Sequence, residues 1–249
     1  MKRILSMTLA AIAIALLGTG RMQAQAIWTS AQVDLKFGKG FSGYVEGEYR
    51  SFDQVAGTSR WSGSIGFEYK TCDYLKIGIG YSYLHDHEEE DITRKGNIVS
   101  SYWQPRHRAN FALTGSYGWD FGLKISLRER YQYTFNQEMS VPKTDPSGNP
   151  ISDEFIAAKQ KHVLRSRLQV AYEIPKIKLE PYLSCEMYND LLAGFKIDKI
   201  RYQAGLSYPI TKMHSIKLYY MFQDHTKVGK KDDHIIGIGY KLKIKTKKK

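Results

Sequence analysis

The stretch LKISLRERYQYTF, Leu123 to Phe135, sorts by odd and even positions. Leu123, Ile125, Leu127, Glu129, Tyr131, Tyr133 and Phe135 share one side, which is apolar except at Glu129. Lys124, Ser126, Arg128, Arg130, Gln132 and Thr134 share the other. Alternation with period two marks a strand whose two faces meet different surroundings. Its 13 residues exceed the roughly five or six of an ordinary soluble strand and suffice to cross a bilayer when tilted.

The same alternation recurs at 27–37, 41–52, 60–70, 74–85 and 106–117 before this stretch, and at 161–173, 177–189, 199–208, 214–224 and 233–245 after it. Two kinds of connection take turns between these eleven segments. Gly38-Lys39-Gly40, Thr71-Cys72-Asp73, Gly118-Trp119-Asp120 and Ile174-Pro175-Lys176 are tight, whereas 53–59, 86–105, 137–160, 190–198 and 225–232 are longer and polar. Short turns at one end and long loops at the other describe an outer-membrane barrel, with the short turns periplasmic and the loops extracellular. Only 151–161, ISDEFIAAKQK, carries a weak helical period.

The polar faces cannot form a soluble core, because arginine and glutamate are rarely buried unless paired. A soluble sandwich or lipocalin-like barrel would also alternate, with its apolar face inward. Strand length favours lipid instead. So does the gathering of Tyr49, Trp61, Tyr69, Tyr81, Tyr83, Tyr131, Tyr133 and Tyr208 toward strand ends, like interfacial girdles. The expected fold is all-β: an antiparallel up-and-down transmembrane β-barrel of about ten to twelve strands. Single-chain bacterial barrels have even strand numbers. Eleven alternating segments therefore predict a closed count of ten or twelve, with one segment split or missed, or with 27–37 partly inside the lumen.

The first 26 residues read as a cleaved signal peptide: Lys2 and Arg3, an apolar run from Leu9 to Leu17, then Ala24-Gln25-Ala26. That run is too short to span a bilayer, which takes about 20 residues. The domain is then 27–249. The formal charge of +12 falls to +9 without the leader, which holds Lys2, Arg3, Arg21 and no acids. In an exported chain this balance points to anionic headgroups and polysaccharides rather than nucleic acid. Cys72 and Cys185 imply no disulfide framework, and the abundance of Gly (21) and Tyr (18) over Pro (7) suits strands.

The segments RHRANFAL, SLRERYQYTF, VLRSRLQVAYEIPKIKLEPYLSCEMYN and HIIGIGYKLKIK together resemble an uncharacterised family of Gram-negative outer-membrane barrels, a domain of unknown function common in Bacteroidota. The resemblance covers the whole mature chain. His107-Arg108, the paired arginines and Glu180-Pro181-Tyr182 carry it. It implies a barrel in the cell outer membrane, with outer-membrane lipid and the barrel assembly machinery as partners, and lends no catalytic residue or ligand. The last strand resembles a C-terminal sorting signal through Gly239, Leu242 and Ile244, but lacks a terminal aromatic and ends in lysines.

Three arginine pairs stand out on the polar faces: Arg106 and Arg108, Arg128 and Arg130, Arg165 and Arg167. Two-residue spacing puts both members of a pair on one face. Counted from the turns, all six are expected at similar depth in a positive lumenal belt, extended by Arg50 and Arg201. The lumenal acids are Asp34, Glu46, Glu48, Glu68, Glu180 and Glu186. Arginines could fork onto these glutamates and fill a narrow lumen. Alternatively, the surplus positive charge could bind or pass a small anionic solute. Lumenal Gly66, Gly78, Gly80, Gly205, Gly237 and Gly239 could leave room for that solute or let the wall bend.

An enzyme reading rests on His107, Glu129 and Ser166, expected at similar depth on the apolar face. Glu129 separates the other two, and His107 and Ser166 two strands apart, about 9–10 Å, are too distant for a base and its nucleophile. The run HDHEEED, from His85 to Asp91, matches no defined metal loop and reads as solvated charge. No cofactor or metal is expected. The sequence thus predicts a non-enzymatic barrel, either a narrow anion-preferring pore or a structural one. The alternatives are a lipid-modifying (deacylase-like) enzyme and a soluble periplasmic ligand-binding barrel.

Overall fold

The computed structural model describes residues 26–52, 57–226 and 233–245. The expected leader (Ala26 excepted), parts of the 53–59 and 225–232 loops, and the last four residues of the lysine tail lie outside the described residues. Among the described residues every regular element is a strand. The first four are β1 (Ala26–Gly38), β2 (Phe41–Phe52), β3 (Gly57–Lys70) and β4 (Leu75–Glu88). Short β5 (Asp91–Ile92) and β6 (Ile98–Val99) precede β7 (Tyr102–Gly118) and β8 (Leu123–Asn136). After β9 (Met139–Thr144) and β10 (Pro150–Ile156) come β11 (Lys159–Tyr172), β12 (Glu180–Asp190), β13 (Lys196–Pro209), β14 (His214–His225) and β15 (Asp233–Lys245).

Eleven of these strands close a barrel in the order β1-β15-β14-β13-β12-β11-β8-β7-β4-β3-β2. Ten of the eleven pairings are antiparallel. The closing one, β1 with β15, is parallel and runs from Ala26↔Ile235 to Lys36↔Lys245. This overturns the expected even count. Each antiparallel step reverses chain direction, so the eleventh strand runs the same way as the first, and only a parallel seam can join them. Residues 27–37 are not drawn into the lumen; they pair in the wall with β2 on one side and β15 on the other.

The alternation becomes a two-faced wall. Leu127 (51% exposed), Phe67 (53%) and Leu183 (66%) point outward, while Arg128 and Arg130 line the interior. A soluble barrel would reverse these faces. An apolar exterior on strands of this length is the surface that hydrocarbon covers, so the soluble alternative fails here. At the tight β1–β2 turn, Gly38, Lys39 and Gly40 all have positive φ (89°, 49° and 83°), which explains the glycines on either side of the lysine.

Two expected loops are structured. β5, β6, β9 and β10 form a separate four-stranded sheet at the long-loop end, with Val99 and Val141 buried in it and Lys143 paired to Glu154 at 2.7 Å. The weak helical period at 151–161 is corrected to strand: β10 to Ile156, then the start of β11 from Lys159. The β11–β12 connection is longer than the tight turn expected around Pro175: β12 starts only at Glu180, and Lys176 and Lys178 adopt positive φ.

Candidate functional site

The lumen is the site. An inner chamber of about 620 Å³ reaches from Lys76, Glu180 and Lys243 near the turn end to Trp28 and Arg50. A smaller cavity of about 300 Å³ lies toward the long-loop end and is also lined by Trp28 and Arg50. Trp28 therefore stands between the two spaces. Arg50, directly across the β1–β2 ladder, stacks on its ring with Cζ 3.7 Å from the centroid. Arg201 reaches the same ring at 5.0 Å, although its strand β13 is three strand spacings from β1, roughly 14 Å along the wall. Its side chain bridges the interior rather than following the wall.

From Arg201 a polar chain continues. Its guanidinium donates to Tyr188 Oη (2.5 Å) and to Gln223 Oε1 (2.7 Å). Tyr188 donates to Glu186 Oε2 at 3.0 Å. Glu186 is buried (6% exposed) and accepts from Arg128 at 2.6 Å and Arg165 at 2.7 Å. Charge-assisted bonds of this kind are the strong ones. Together these groups tie β8, β11, β12, β13 and β1 across the barrel interior.

The eight expected arginines fall into separate levels rather than one belt. Arg165 pairs in register with Arg130, and Arg167 with Arg128. Arg106 and Arg108 pair instead with Asn136 and Thr134, six positions further along β8. Arg106 belongs to the outer cavity, where it and Arg60 share Asp86; Arg106 does so at 2.7 Å and also pairs with Glu88. Arg108 donates to Thr134 at 3.1 Å. Counting from turns fails because each strand meets its neighbour at its own offset. Arg50 binds Glu48 on its own strand at 2.8 Å. Of the other expected acids, Glu46 lines the chamber, Glu68 pairs with Lys76 at 2.9 Å, and Glu180 with Lys124 at 2.7 Å. Asp34 accepts from Gln32 at 2.5 Å.

Three of the six expected lumenal glycines, Gly66, Gly205 and Gly237, lie against tyrosines, whereas Gly78 and Gly239 do not. A Cβ at Gly66 would lie 2.4 Å from the Tyr44 ring, one at Gly205 2.5 Å from Tyr182 Oη, and one at Gly237 1.9 Å from Tyr219 Cζ. These side chains occupy the space a Cβ would take, so bare backbone there makes room for the aromatic. Sequence reasoning passed over Trp28, Tyr188 and Asp86. The parity of β1, β12 and β4 would have placed all three inside.

On the outer face, Ser166 donates to Glu129 at 2.6 Å, directly across the β8–β11 ladder. His107 is not with them. It sits opposite Phe135, six residues from Glu129, and is engaged by Tyr81 at 2.7 Å. The expected common depth of this trio is thus corrected, and among the described residues the Glu129–Ser166 pair has no histidine. The HDHEEED run is split by its strand: His85 stacks on Trp103 and His87 packs tilted against the same ring, whereas Asp86 is held by Arg60 and Arg106. Cys72 and Cys185 are free thiols.

Similar folds occur among solved structures. The translocator domain of the autotransporter NalP from Neisseria meningitidis superposes with a TM-score of 0.50, 8% identity and 94% coverage of both chains. The beta domain of the Bordetella autotransporter Brka gives 0.49 at 10% identity, covering 80% of this chain and 81% of that one. A NanC porin gives 0.49 at 15% identity, covering 88% and 95%. At these identities the likeness to the NalP domain is one of fold: a closed outer-membrane-type barrel. No curated protein sequence matches the chain. Residues 25–233 match the family described as protein of unknown function DUF2490, and the chain belongs to that family.

Proposed function

We propose that this protein is a non-enzymatic barrel of the cell outer membrane of a Gram-negative bacterium, of Bacteroidota type, whose lumen prefers small anions. Its partners are outer-membrane lipid around the wall, the barrel assembly machinery during insertion, and the anionic solute itself. One observation carries the reading. Eleven basic side chains line the inner chamber against five acidic ones, and rings of basic residues select anions. The cross-lumen contacts at Trp28 make the passage narrow. A deacylase-like chemistry finds less support, because a nucleophile needs a base within hydrogen-bond reach and His107 is far from Ser166.

Planar-bilayer recording under a salt gradient tests the reading. The reversal potential is expected on the anion side, and Arg128→Ala with Arg130→Ala should move it toward zero. A cation-selective current, or none above background, removes the anion-pore reading.

A further inference from the structure

We propose that the inner chamber holds a specific site for a small dianionic oxyanion, bound between Arg130 and Arg167; this deepens the anion-preferring reading and rests on it. The four arginines of β8 and β11 occupy the corners of a square on the ladder. Arg128 and Arg130 stand two apart on one strand, with Arg167 and Arg165 directly opposite them on the next. Like charges directly opposite in a sheet repel. Glu186 relieves one diagonal, taking Arg128 and Arg165.

The other diagonal has no such partner. Among the described residues neither Arg130 nor Arg167 has an acid within ion-pair distance, unlike Arg128 and Arg165, and their Nε atoms, like those of the other two, are buried with no acceptor. Arginine does not shed its proton in proteins, so both remain charged donors in a confined space. Buried donors without acceptors are unfavourable, and a shared oxyanion supplies what is missing. Guanidinium forks match two oxygens on one centre, which favours carboxylate or phosphate oxygens over a halide. Two unmatched forks favour a double negative charge. Lys217, which also lines the chamber, rides over the Tyr182 ring at 4.3 Å and adds a third cation. The chamber volume of about 620 Å³ lies within the usual range for small-molecule sites, and the Trp28 stack narrows it toward the long-loop end. The solute is held in the chamber before any passage.

The test is titration calorimetry on the full folded chain in detergent, with inorganic phosphate, succinate and chloride as probes. Saturable binding of phosphate, of succinate or of both is expected, the two arms showing which oxyanion fits, while chloride gives none. Arg130→Gln combined with Arg167→Gln should weaken binding at least about tenfold. Arg167→Lys, which keeps the charge and loses the fork, should weaken it severalfold, and Lys70→Gln at the exposed end of β3 should leave it unchanged. Absence of saturable binding by either oxyanion overturns the proposal, as does unchanged affinity in both arginine variants. Bilayer recordings on the same preparations separate the two claims. Anion-selective current without binding sinks the site and leaves the pore, whereas binding without current does the reverse.

Discussion

Arg165 lies directly across the β11–β8 ladder from Arg130, which sets two like charges opposite each other on one lumenal face. Such a pair survives in a wall only when an acid is close enough to hold it. That acid is Glu186, on the next strand along, which accepts from Arg165 and from Arg128. Strand pairing thus creates the repulsion, and one carboxylate on β12 turns it into a cross-strand tie.

Glu186→Gln should therefore be strongly destabilising. Removing one partner of a buried ion pair costs about 3–5 kcal/mol, and here one carboxylate serves two arginines. Urea unfolding of the lipid-inserted barrel measures the loss. Adding Arg165→Gln to Glu186→Gln should recover part of it, since one uncompensated charge disappears. A Glu186→Gln barrel as stable as the parent would show that the carboxylate is not holding the square.

The tyrosine-on-glycine contacts predict a different sensitivity. Gly237→Val puts a side chain where the Tyr219 ring already sits, and overpacking of this kind costs about 1–3 kcal/mol. Tyr219→Ala should relieve much of the clash in the double variant, a coupling between neighbours that thermal unfolding of the single and double variants resolves. Independent, additive effects would contradict the stacked geometry.

The parallel seam can be tested by crosslinking. In the observed register Val33 pairs with Leu242 and Thr29 with Ile238. In a background with Cys72→Ser and Cys185→Ser, oxidation of Val33→Cys with Leu242→Cys should give a disulfide, because Cα atoms of paired strands lie within bridging distance. Thr29→Cys with Leu242→Cys, four register steps apart, should not crosslink. If the second pair crosslinks and the first does not, the closure is misassigned and the strand count with it.

Much of this architecture is legible in the chain because alternation is local. Leu127 and Arg128 declare their faces without knowledge of any other strand, and the same holds for each barrel strand in turn. What depends on relations between strands is not legible. The parity of closure is settled only where β1 meets β15. The level of Arg106 relative to Arg128 depends on ladder offsets that no single strand encodes. β9 and β10 are short, β9 contains Pro142 and β10 opens on Pro150, so they lack the long alternation of the wall and read as loop. Trp28 looks like one more interfacial aromatic until its even position on β1 puts it inside. The site was visible as a surplus of arginines; their division into a satisfied and an unsatisfied diagonal required the register.

Glu129 gives the last prediction. Its carboxylate sits on the outer face, six residues into β8 from the turn end, flanked by Leu127 and Tyr131, which are both exposed. Ser166 supplies one hydrogen bond at 2.6 Å, which offsets only part of the cost of a polar group facing hydrocarbon. Charged residues on the lipid face of a barrel cost most near the midplane, and acids cost less than lysine or arginine. Glu129→Leu should therefore stabilise the inserted barrel by about 1 kcal/mol in urea unfolding, and Ser166→Ala added to it should change little. Stability that falls in Glu129→Leu would mean that the carboxylate meets a polar partner within the membrane, and this stretch of the exterior would then be a contact surface rather than plain lipid-facing wall.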